Sequence, residues 1–552
     1  MRAAFPGKRL LWLLLFSLPL AFLVIFFFYP LANIVSVSLT VGAITGLFSR
    51  PYYASVLWFT IWQATVSTAL TLLVGLPAAY LFARYEFKGR QVLRALTTIP
   101  FVMPTVVVAA AFRALLGARG PLNQSLMALL NLSQPPVQVE QTLTIILVAH
   151  VFYNVTIVVR LVGGFWTRLG PRTVEAARVL GASPLQAFRE VTLPQLKPAL
   201  IAASLLIFLF TFTSFGVILL LGGPAYSTLE TEIYRQHVNF LRPDVAAALS
   251  LLQILFTFAL MSLYARWQQR TAVGLDFRPG RTTRQKARGV AERSSVGILI
   301  AFLMLFQLLP LLALVWQSFM TRDGTFTLAY YRALPTLERG SVTFIPPVEA
   351  IRNSIGYALL TVLAAGLLGT VGATLLTRVG KHRNWLDPVF MLPLGVSAVT
   401  LGFGSVISFD RLRTSPVLVL IAHVLVALPF VVRTLLPVLQ GIKPSLREAA
   451  AVLGASPFAV WREVDAPILG RALLVAAVFA FTVSMGEFGA TSFIVRPNSG
   501  YLTMPIAIAR YLGTPGALNF GQALAMSAIL MGVTSMGFIA IERFRFADVG
   551  EF

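Results

Sequence analysis

Long apolar stretches separated by short polar segments run along almost the whole chain. A helix needs about 20 apolar residues to cross the roughly 30 Å hydrocarbon core of a bilayer. Stretches of about this length cover residues 10–31, 55–83, 93–116, 142–162, 197–220, 244–265, 296–316, 353–377, 386–408, 416–440, 471–493 and 519–541. The pattern therefore predicts an all-α integral membrane protein with about 12 transmembrane helices.

The first stretch has some features of a secretory signal peptide, because Arg2, Lys8 and Arg9 precede it. Its apolar core runs from Leu10 to Tyr29, which is longer than a usual signal core, and no clear small-residue cleavage site follows. We therefore expect it to be retained as a helix.

The composition agrees with a membrane protein. The chain is 57% hydrophobic and 12% charged, whereas soluble globular proteins are roughly 25% charged. So few charges leave too little polar surface for a particle that faces water on all sides. The chain has no cysteine, which rules out a disulfide framework, a thiolate metal site and a cysteine nucleophile.

The net charge of +23 is explained by the concentration of Lys and Arg in cytoplasmic loops, so a nucleic-acid partner is not needed. Twelve spans place both termini on one side, and the positive-inside rule makes that side cytoplasmic. The densest basic cluster comprises Arg266, Arg270, Arg278, Arg281, Arg284, Lys286, Arg288 and Arg293. We predict a cytoplasmic linker at 266–295 between two modules, 1–265 and 296–552.

The two halves contain an internal repeat. A shift of 273 residues aligns Ala149–Leu200 with Ala422–Leu473 without a gap, and 16 of 26 positions are identical between Glu175–Leu200 and Glu448–Leu473. Six spans per half make this a parallel repeat, in which both copies of the segment face the cytoplasm. Repeats of this kind place a transport pathway between the symmetry-related halves.

The repeated segment is polar and predicts two short helices in each half. The first helix is expected to end at Gly181 or Gly454, and a Ser-Pro pair then begins the second. In the second copy, Ser445 and Glu448 have the spacing of a capping box. Two matched pairs of short helices suit a partner with two-fold symmetry.

This segment resembles the cytoplasmic loop signature of ABC importer permeases. The matching residues are Glu175, Ala176, Ala177, Gly181, Val191, Leu193 and Pro194 in the first copy, and Glu448, Ala449, Ala450, Gly454, Val464 and Pro467 in the second. The second copy departs from the signature at Ala466, where the family has Leu. In that family the loop is the coupling helix, which sits in a cleft of the ATPase subunit.

The resemblance covers nearly the whole chain and implies the type I ABC importer permease fold. It also implies two copies of a separate ATPase subunit, an extracytoplasmic substrate-binding protein, and a chain that binds no cofactor and leaves ATP to its partner. Two fused modules of this length are most similar to the thiamine and ferric-iron permeases. The stretch Met485–Gly489 also resembles molybdate and sulfate permeases, so the solute stays open, with thiamine slightly favoured.

Several polar residues fall within or beside the predicted spans. A carboxylate such as Glu487 is costly in a membrane; it either lines the solute path, together with its repeat equivalent Ser214, or makes a structural hydrogen bond. His150 and His423 occupy matched positions and are expected to make interhelical hydrogen bonds, although ligand or proton-carrier roles are alternatives. Glu230 and Glu232 are expected on an outer-face helix, either in contact with a binding protein or solvated.

Two other function classes fit the sequence less well. A secondary transporter or channel would need ion-coupling residues within the membrane in both halves, where only Glu487 qualifies, and a membrane enzyme would need a cluster of catalytic acids or histidines. The phosphate-binding loop of an ATPase and the His-Glu-x-x-His metal motif are both missing from the sequence. We therefore expect a transport subunit with no catalytic residues and no metal site.

Overall fold

The computed structural model describes residues 6–39, 45, 50–169, 172–271, 284–337, 343–380, 383–496 and 499–545. These residues form helices joined by turns, and the described part of the chain contains two isolated β-bridges but no strand. The middle of the predicted basic linker, including Arg278 and Arg281, lies outside the described residues, as do both chain ends.

The helices of the first half are Pro6–Leu23, Tyr29–Ser38, Pro51–Arg84, Arg90–Leu96, Ile99–Val102, Thr105–Leu116, Pro121–Leu130, Leu143–Ile157, Gly163–Arg168, Arg172–Val179, Pro184–Ala187, Leu193–Phe212, Leu229–Tyr234 and Pro243–Thr271. π-Helical turns are found at Val24–Phe28, Val158–Val162, Phe188–Thr192, Ile218–Gly222 and Arg235–Asn239. Several of these turns each join the helix before them to the helix after them, so that the pair forms a continuous rod.

The helices of the second half are Gly289–Ser318, Ala329–Arg332, Pro347–Arg378, Arg383–Gly395, Ala398–Ser408, Pro416–Gly441, Pro444–Val452, Pro457–Val460, Ala466–Gly486, Gly489–Ile494, Met504–Gly513 and Ala517–Arg545. A π-helical turn at Trp461–Asp465 and a 3-10 turn at Asp410–Leu412 complete the half.

The twelve predicted spans are found, but two of them are not single straight helices. Within the described residues, eleven helices are long and apolar enough to cross a bilayer, and one bent pair makes a twelfth span. That pair is the ninth span, in which Trp385–Gly395 and Ala398–Ser408 meet at 95°. The break falls at Val396 and Ser397, where Ser397 is extended and its side chain caps the second helix.

The third predicted span, 93–116, is also broken, and the third candidate span of the structure is instead Thr105–Leu130. Met103 and Pro104 are extended and separate the short helix Ile99–Val102 from Thr105–Leu116. The proline ring disfavours helical backbone in the residue before it, so Pro104 holds Met103 out of the helix. Both halves therefore carry a broken span.

The first span of each half packs against the other half. Leu23 and Phe27 lie in a buried cluster whose other members belong to the second half, and Leu303 of the seventh span is buried among residues of the first half. The Asn33 side-chain amide also donates a hydrogen bond to Ser408 Oγ at 2.9 Å. This exchange joins the two halves into one body, with a shared apolar core between them.

Candidate functional site

The first repeated segment folds as two short helices, as the sequence predicted. The helix Arg172–Val179 ends at Gly181, which has φ +93°. Backbone hydrogen bonds from Leu180 N to Ala176 O and from Ala182 N to Ala177 O close this end. Glycine suits such a left-handed position because it has no Cβ to clash with the backbone.

The second short helix of this segment leads directly into a span. Ser183 and Gln186 form a capping box at the start of Pro184–Ala187, and the π-helical turn Phe188–Thr192 continues into Leu193–Phe212. The second short helix and the membrane-crossing part of the fifth span are therefore one uninterrupted helical rod.

The second repeated segment has the same geometry. Its first helix, Pro444–Val452, ends at Gly454 with φ +84°, and Pro457–Val460 continues through a π-helical turn into Ala466–Gly486. The predicted capping box at Ser445 is wrong, because the helix begins at Pro444 and its N-cap residue is Lys443, two residues before Ser445, with no side-chain cap hydrogen bond. Proline suits this first position since its φ is already helical and its missing N–H has no helical partner there.

The structure places the signature residues on these two segments. Glu175, Ala176, Gly181, Leu193, Pro194, Glu448, Ala449, Gly454 and Pro467 are exposed, whereas Ala177, Val191, Ala450 and Val464 are half-buried. Among the described residues, the most exposed large apolar side chains lie at the C-terminal end of the first helix of each segment and directly after it. Val179 and Leu180 are 86% and 87% exposed, and their repeat equivalents Val452 and Leu453 are both 87% exposed.

Glu487 lies at the opposite end of the rod that begins at the second segment. Its side chain is 5% exposed and its carboxylate caps the helix Gly489–Ile494. Ala490 N donates to Oε1 at 2.7 Å, Thr491 N donates to Oε2 at 2.9 Å, and the Thr491 hydroxyl also donates to Oε2. The three bonds satisfy the carboxylate and supply partners for the helix amides.

His150 and His423, two of the three histidines buried in the described residues, link neighbouring helices, as predicted. His150 is hydrogen-bonded to Ser67 Oγ at 3.0 Å and to Ser214 Oγ at 2.9 Å. His423 is hydrogen-bonded to Ser484 Oγ at 2.7 Å and to Thr491 Oγ1 at 3.0 Å.

Each histidine also lies beside the residue that the sequence singled out in its half. Ser214 bonds directly to the ring of His150. Glu487 Oε2 lies 3.6 Å from His423 Nε2. The repeat therefore preserves a buried polar pair in each half, although the chemistry of the pair differs.

The residues after Ser214 and Glu487 meet between the halves. The rings of Phe215 and Phe488 stack with their centroids 5.5 Å apart. A Cβ added to Gly216 would lie 2.8 Å from Thr105 Cβ, and one added to Gly489 would lie 2.9 Å from Ala398 Cβ. The Phe-Gly pair of each half thus packs closely against the start of the helix that follows the break in a broken span.

Comparison with known proteins agrees with this architecture. The family described as "Binding-protein-dependent transport system inner membrane component" matches twice, at residues 72–273 and 365–545. Together the matches cover more than half of the chain. The chain belongs to this family. It is therefore a multi-pass membrane protein with the type I permease fold in two repeats, and the permease of a binding-protein-dependent ABC importer.

Individual relatives of the permease carry related names. This chain is 28% identical over 478 residues to a probable ABC transporter permease protein, y4fN, of Sinorhizobium fredii. The match covers 82% of this chain and 81% of the relative. The chain is 26% identical over 517 residues to the thiamine transport system permease protein ThiP of Salmonella typhimurium, covering 90% and 91%.

A third relative matches about half of the chain. A putative 2-aminoethylphosphonate transport system permease protein, PhnU, of Salmonella choleraesuis is 30% identical over 273 residues, covering 48% of this chain and 94% of the relative. The names of the relatives therefore include more than one solute.

Glu230 and Glu232 do not lie where the sequence predicted. Both were expected at the outer surface, yet they are 0% and 1% exposed. Glu232 accepts hydrogen bonds from Tyr52 OH at 2.9 Å and from Gln236 Nε2 at 2.6 Å. The helix Leu229–Tyr234 carries them because it packs inside the bundle, against the second and sixth spans.

Glu230 joins the two halves, a role that the sequence did not indicate. Its carboxylate accepts hydrogen bonds from Gln253 Nε2 and, at 3.1 Å, from Ser397 Oγ. Ser397 also accepts a hydrogen bond from Thr400 N and so caps the helix after the break in the ninth span. The Ser397 cap was detectable as a helix-start residue only if the break had been recognised.

Proposed function

We propose that the chain is the translocating subunit of a thiamine importer and that its two repeated segments, Glu175–Pro194 and Glu448–Pro467, each bind one ATPase subunit. The observation that carries this proposal is the pair of matched apolar projections, Val179-Leu180 and Val452-Leu453, which are 86–87% exposed. Leaving four large apolar side chains in water is unfavourable, by roughly 1.5–3 kcal/mol for each side chain that a partner would bury completely.

The segments are placed to transmit a movement. Each one continues without a break into a span, and Pro184–Phe212 and Phe458–Gly486 contain 29 residues each. At 1.5 Å per residue such a rod is about 44 Å long. Its far end is followed by Phe215 in the first half and by Phe488 in the second, so a displacement of the segments is delivered to the contact between the halves.

The proposed cycle follows from this geometry. ATP draws the two ATPase subunits together, the two segments follow, and the Phe215–Phe488 contact opens to accept solute from an extracytoplasmic binding protein. Hydrolysis returns the rods to the closed arrangement. The movement requires that ATP bind one conformation of the complex more tightly than the other.

The remaining features of the proposal follow from the sequence. The segments and both termini face the cytoplasm, and residues 266–295 connect the modules 1–265 and 296–552 on that side. Helices continue to Thr271 and resume at Gly289 on either side of this connection. ATP is used by the partner, and this chain holds no cofactor.

Thiamine is the proposed solute because relatives named as thiamine permeases match across both modules, with 88–90% of this chain covered. The 2-aminoethylphosphonate permease matches 48% of the chain. Ferric iron, which the sequence left open, has no such support among these relatives.

Uptake in reconstituted vesicles tests the proposal. The chain, its ATPase and its binding protein are placed in liposomes, and ATP-dependent uptake of thiamine, ferric iron and 2-aminoethylphosphonate is measured. Uptake of thiamine that is lost in the double variant Glu175→Arg/Glu448→Arg is the expected result. The matched control is Asp323→Arg, an exposed acid in the loop before the eighth span. Uptake that needs no ATP and survives the double variant would support a secondary transporter.

A further inference from the structure

The two repeated segments differ in the apolar surface that they leave open. Leu446, in the helix Pro444–Val452 that leads into the second segment, and Trp461 within the segment are 48% and 51% exposed. The equivalent positions in the first segment hold Thr173 and Phe188. Phe188 is half-buried, and its ring centroid lies 6.2 Å from that of Trp166 in the same half. In the first half, Trp166 therefore partly covers the ring of Phe188, whereas in the second segment the larger ring of Trp461 is exposed.

The exposed aromatic surface of the second segment is continuous. Phe458 is 67% exposed and stacks on Trp461 with ring centroids 5.9 Å apart. At the position equivalent to Phe458, the first segment has Leu185, which is 66% exposed. The backbone geometry and degree of exposure are the same at this position, so the difference lies in the size and type of the side chain.

The second segment is also held together by an ion pair that the first lacks. Arg447 Nε lies 2.8 Å from Asp465 Oδ1 and joins the first short helix to the π-helical turn. The equivalent residues of the first segment are Val174 and Thr192, which carry no charge. A segment that is already fixed in one geometry loses less conformational freedom when a partner binds.

Resting on the proposed function, we propose that the second segment binds its ATPase subunit more tightly than the first does. Tryptophan is enriched among the residues that dominate binding energy at interfaces, and large aromatic side chains bury the most surface there. Both features, the aromatic pair and the preorganised geometry, are expected to strengthen binding of the ATPase subunit to the second segment. A difference of about tenfold in affinity corresponds to the gain or loss of one modest hot spot.

The absence of cysteine from the sequence gives a direct test. Glu190→Cys and Glu463→Cys change the same exposed residue in the two segments, and each single cysteine accepts an environment-sensitive fluorophore. The full chain in lipid nanodiscs is titrated with the nucleotide-free ATPase subunit. We expect half-saturation at about tenfold lower concentration for the label at position 463. Equal midpoints, or a lower midpoint at position 190, would overturn the proposal.

Exchanging the side chains separates this proposal from the proposed function. The variant Thr173→Leu/Leu185→Phe/Phe188→Trp gives the first segment the residues of the second, and Leu446→Thr/Phe458→Leu/Trp461→Phe makes the reverse change. We expect each exchange to bring the two midpoints together, and both at once to reverse their order. Thermal unfolding of each variant verifies that the chain is still folded.

The outcomes are distinguishable. If both labels respond with one midpoint that the exchanges leave unchanged, the unequal binding is wrong while the proposed docking stands; this is also the result expected if Phe458 and Trp461 lie in the lipid interface. If neither label responds to the ATPase subunit, the proposed function fails together with the inference.

Discussion

The ring of Phe215 stacks on the ring of Phe488 with their planes inclined by 26°. The two phenylalanines are equivalent positions of the repeat, 273 residues apart. A contact between equivalent residues places the approximate two-fold axis of the permease between their rings. Each ring follows the end of a rod that begins at a repeated segment, so in the proposed cycle this contact is where movements of the two segments meet.

Removing this contact is expected to make the closed permease leak. The double variant Phe215→Ala/Phe488→Ala loses a stacked pair worth about 0.5–1.5 kcal/mol beyond its burial, and opens space between the halves. Vesicles without ATP should then take up thiamine several-fold faster than the wild type. The matched control is Phe101→Ala/Phe210→Ala, a ring pair within the first half whose members are both exposed. A leak of equal size in the control would argue against a special role for the axis.

Adding one methyl group at the axis is expected to destabilise the fold. In Gly489→Ala the new Cβ lies 2.9 Å from Ala398 Cβ, so the two helices must separate. Overpacking of this kind costs roughly 1–3 kcal/mol, and the melting temperature in detergent should fall. Gly470→Ala is the control, since a Cβ there meets nothing within 4 Å. A melting temperature that is unchanged in both variants would show that the helices Ala398–Ser408 and Gly489–Ile494 are not tightly packed at this contact.

Glu487 is expected to act mainly as a helix cap. Glu487→Ala removes the acceptor for Ala490 N and Thr491 N, and loss of a cap costs about 0.5–2 kcal/mol. Glu487→Gln keeps one acceptor oxygen and should lose less stability, with the half-saturating thiamine concentration for uptake unchanged. Should Glu487→Gln instead weaken uptake at an unaltered melting temperature, the carboxylate would lie on the solute path.

The hydrogen bond from Ser397 to Glu230 is expected to hold the halves together. Glu230→Ala leaves the buried side chains of Gln253 and Ser397 without this partner, at a cost of about 1–3 kcal/mol. Glu230→Gln is the conservative control, because its amide can donate to Ser397 Oγ and accept from Gln253. We expect a lower melting temperature for the alanine variant alone. Equal losses in both variants would indicate that the negative charge itself is required.

Some parts of the candidate site could be predicted from the sequence because they depend only on neighbouring residues. The glycines that end the first helix of each segment were identified from the repeat, and Gly181 and Gly454 do adopt positive φ. The pairing of His150 and His423 with polar neighbours was also predicted. The start of the helix Pro444–Val452 was not predicted correctly. Pro444 and Ser445 both favour a helix start, and the sequence does not choose between them.

The sequence by itself determined the number of spans, the two-fold repeat and the positions of the two repeated segments. These features depend on apolar run length, on identity between the halves and on local helix signals, all of which act over a few turns of helix. The tertiary structure alone decided the break in the ninth span, the packing of each first span on the opposite half, and the burial of Glu230 against Ser397. The hydrogen bonds from Ser397 to Glu230 and from Asn33 to Ser408 join residues 167 and 375 positions apart, and apolar residues that face lipid look the same in the sequence as those that face another helix.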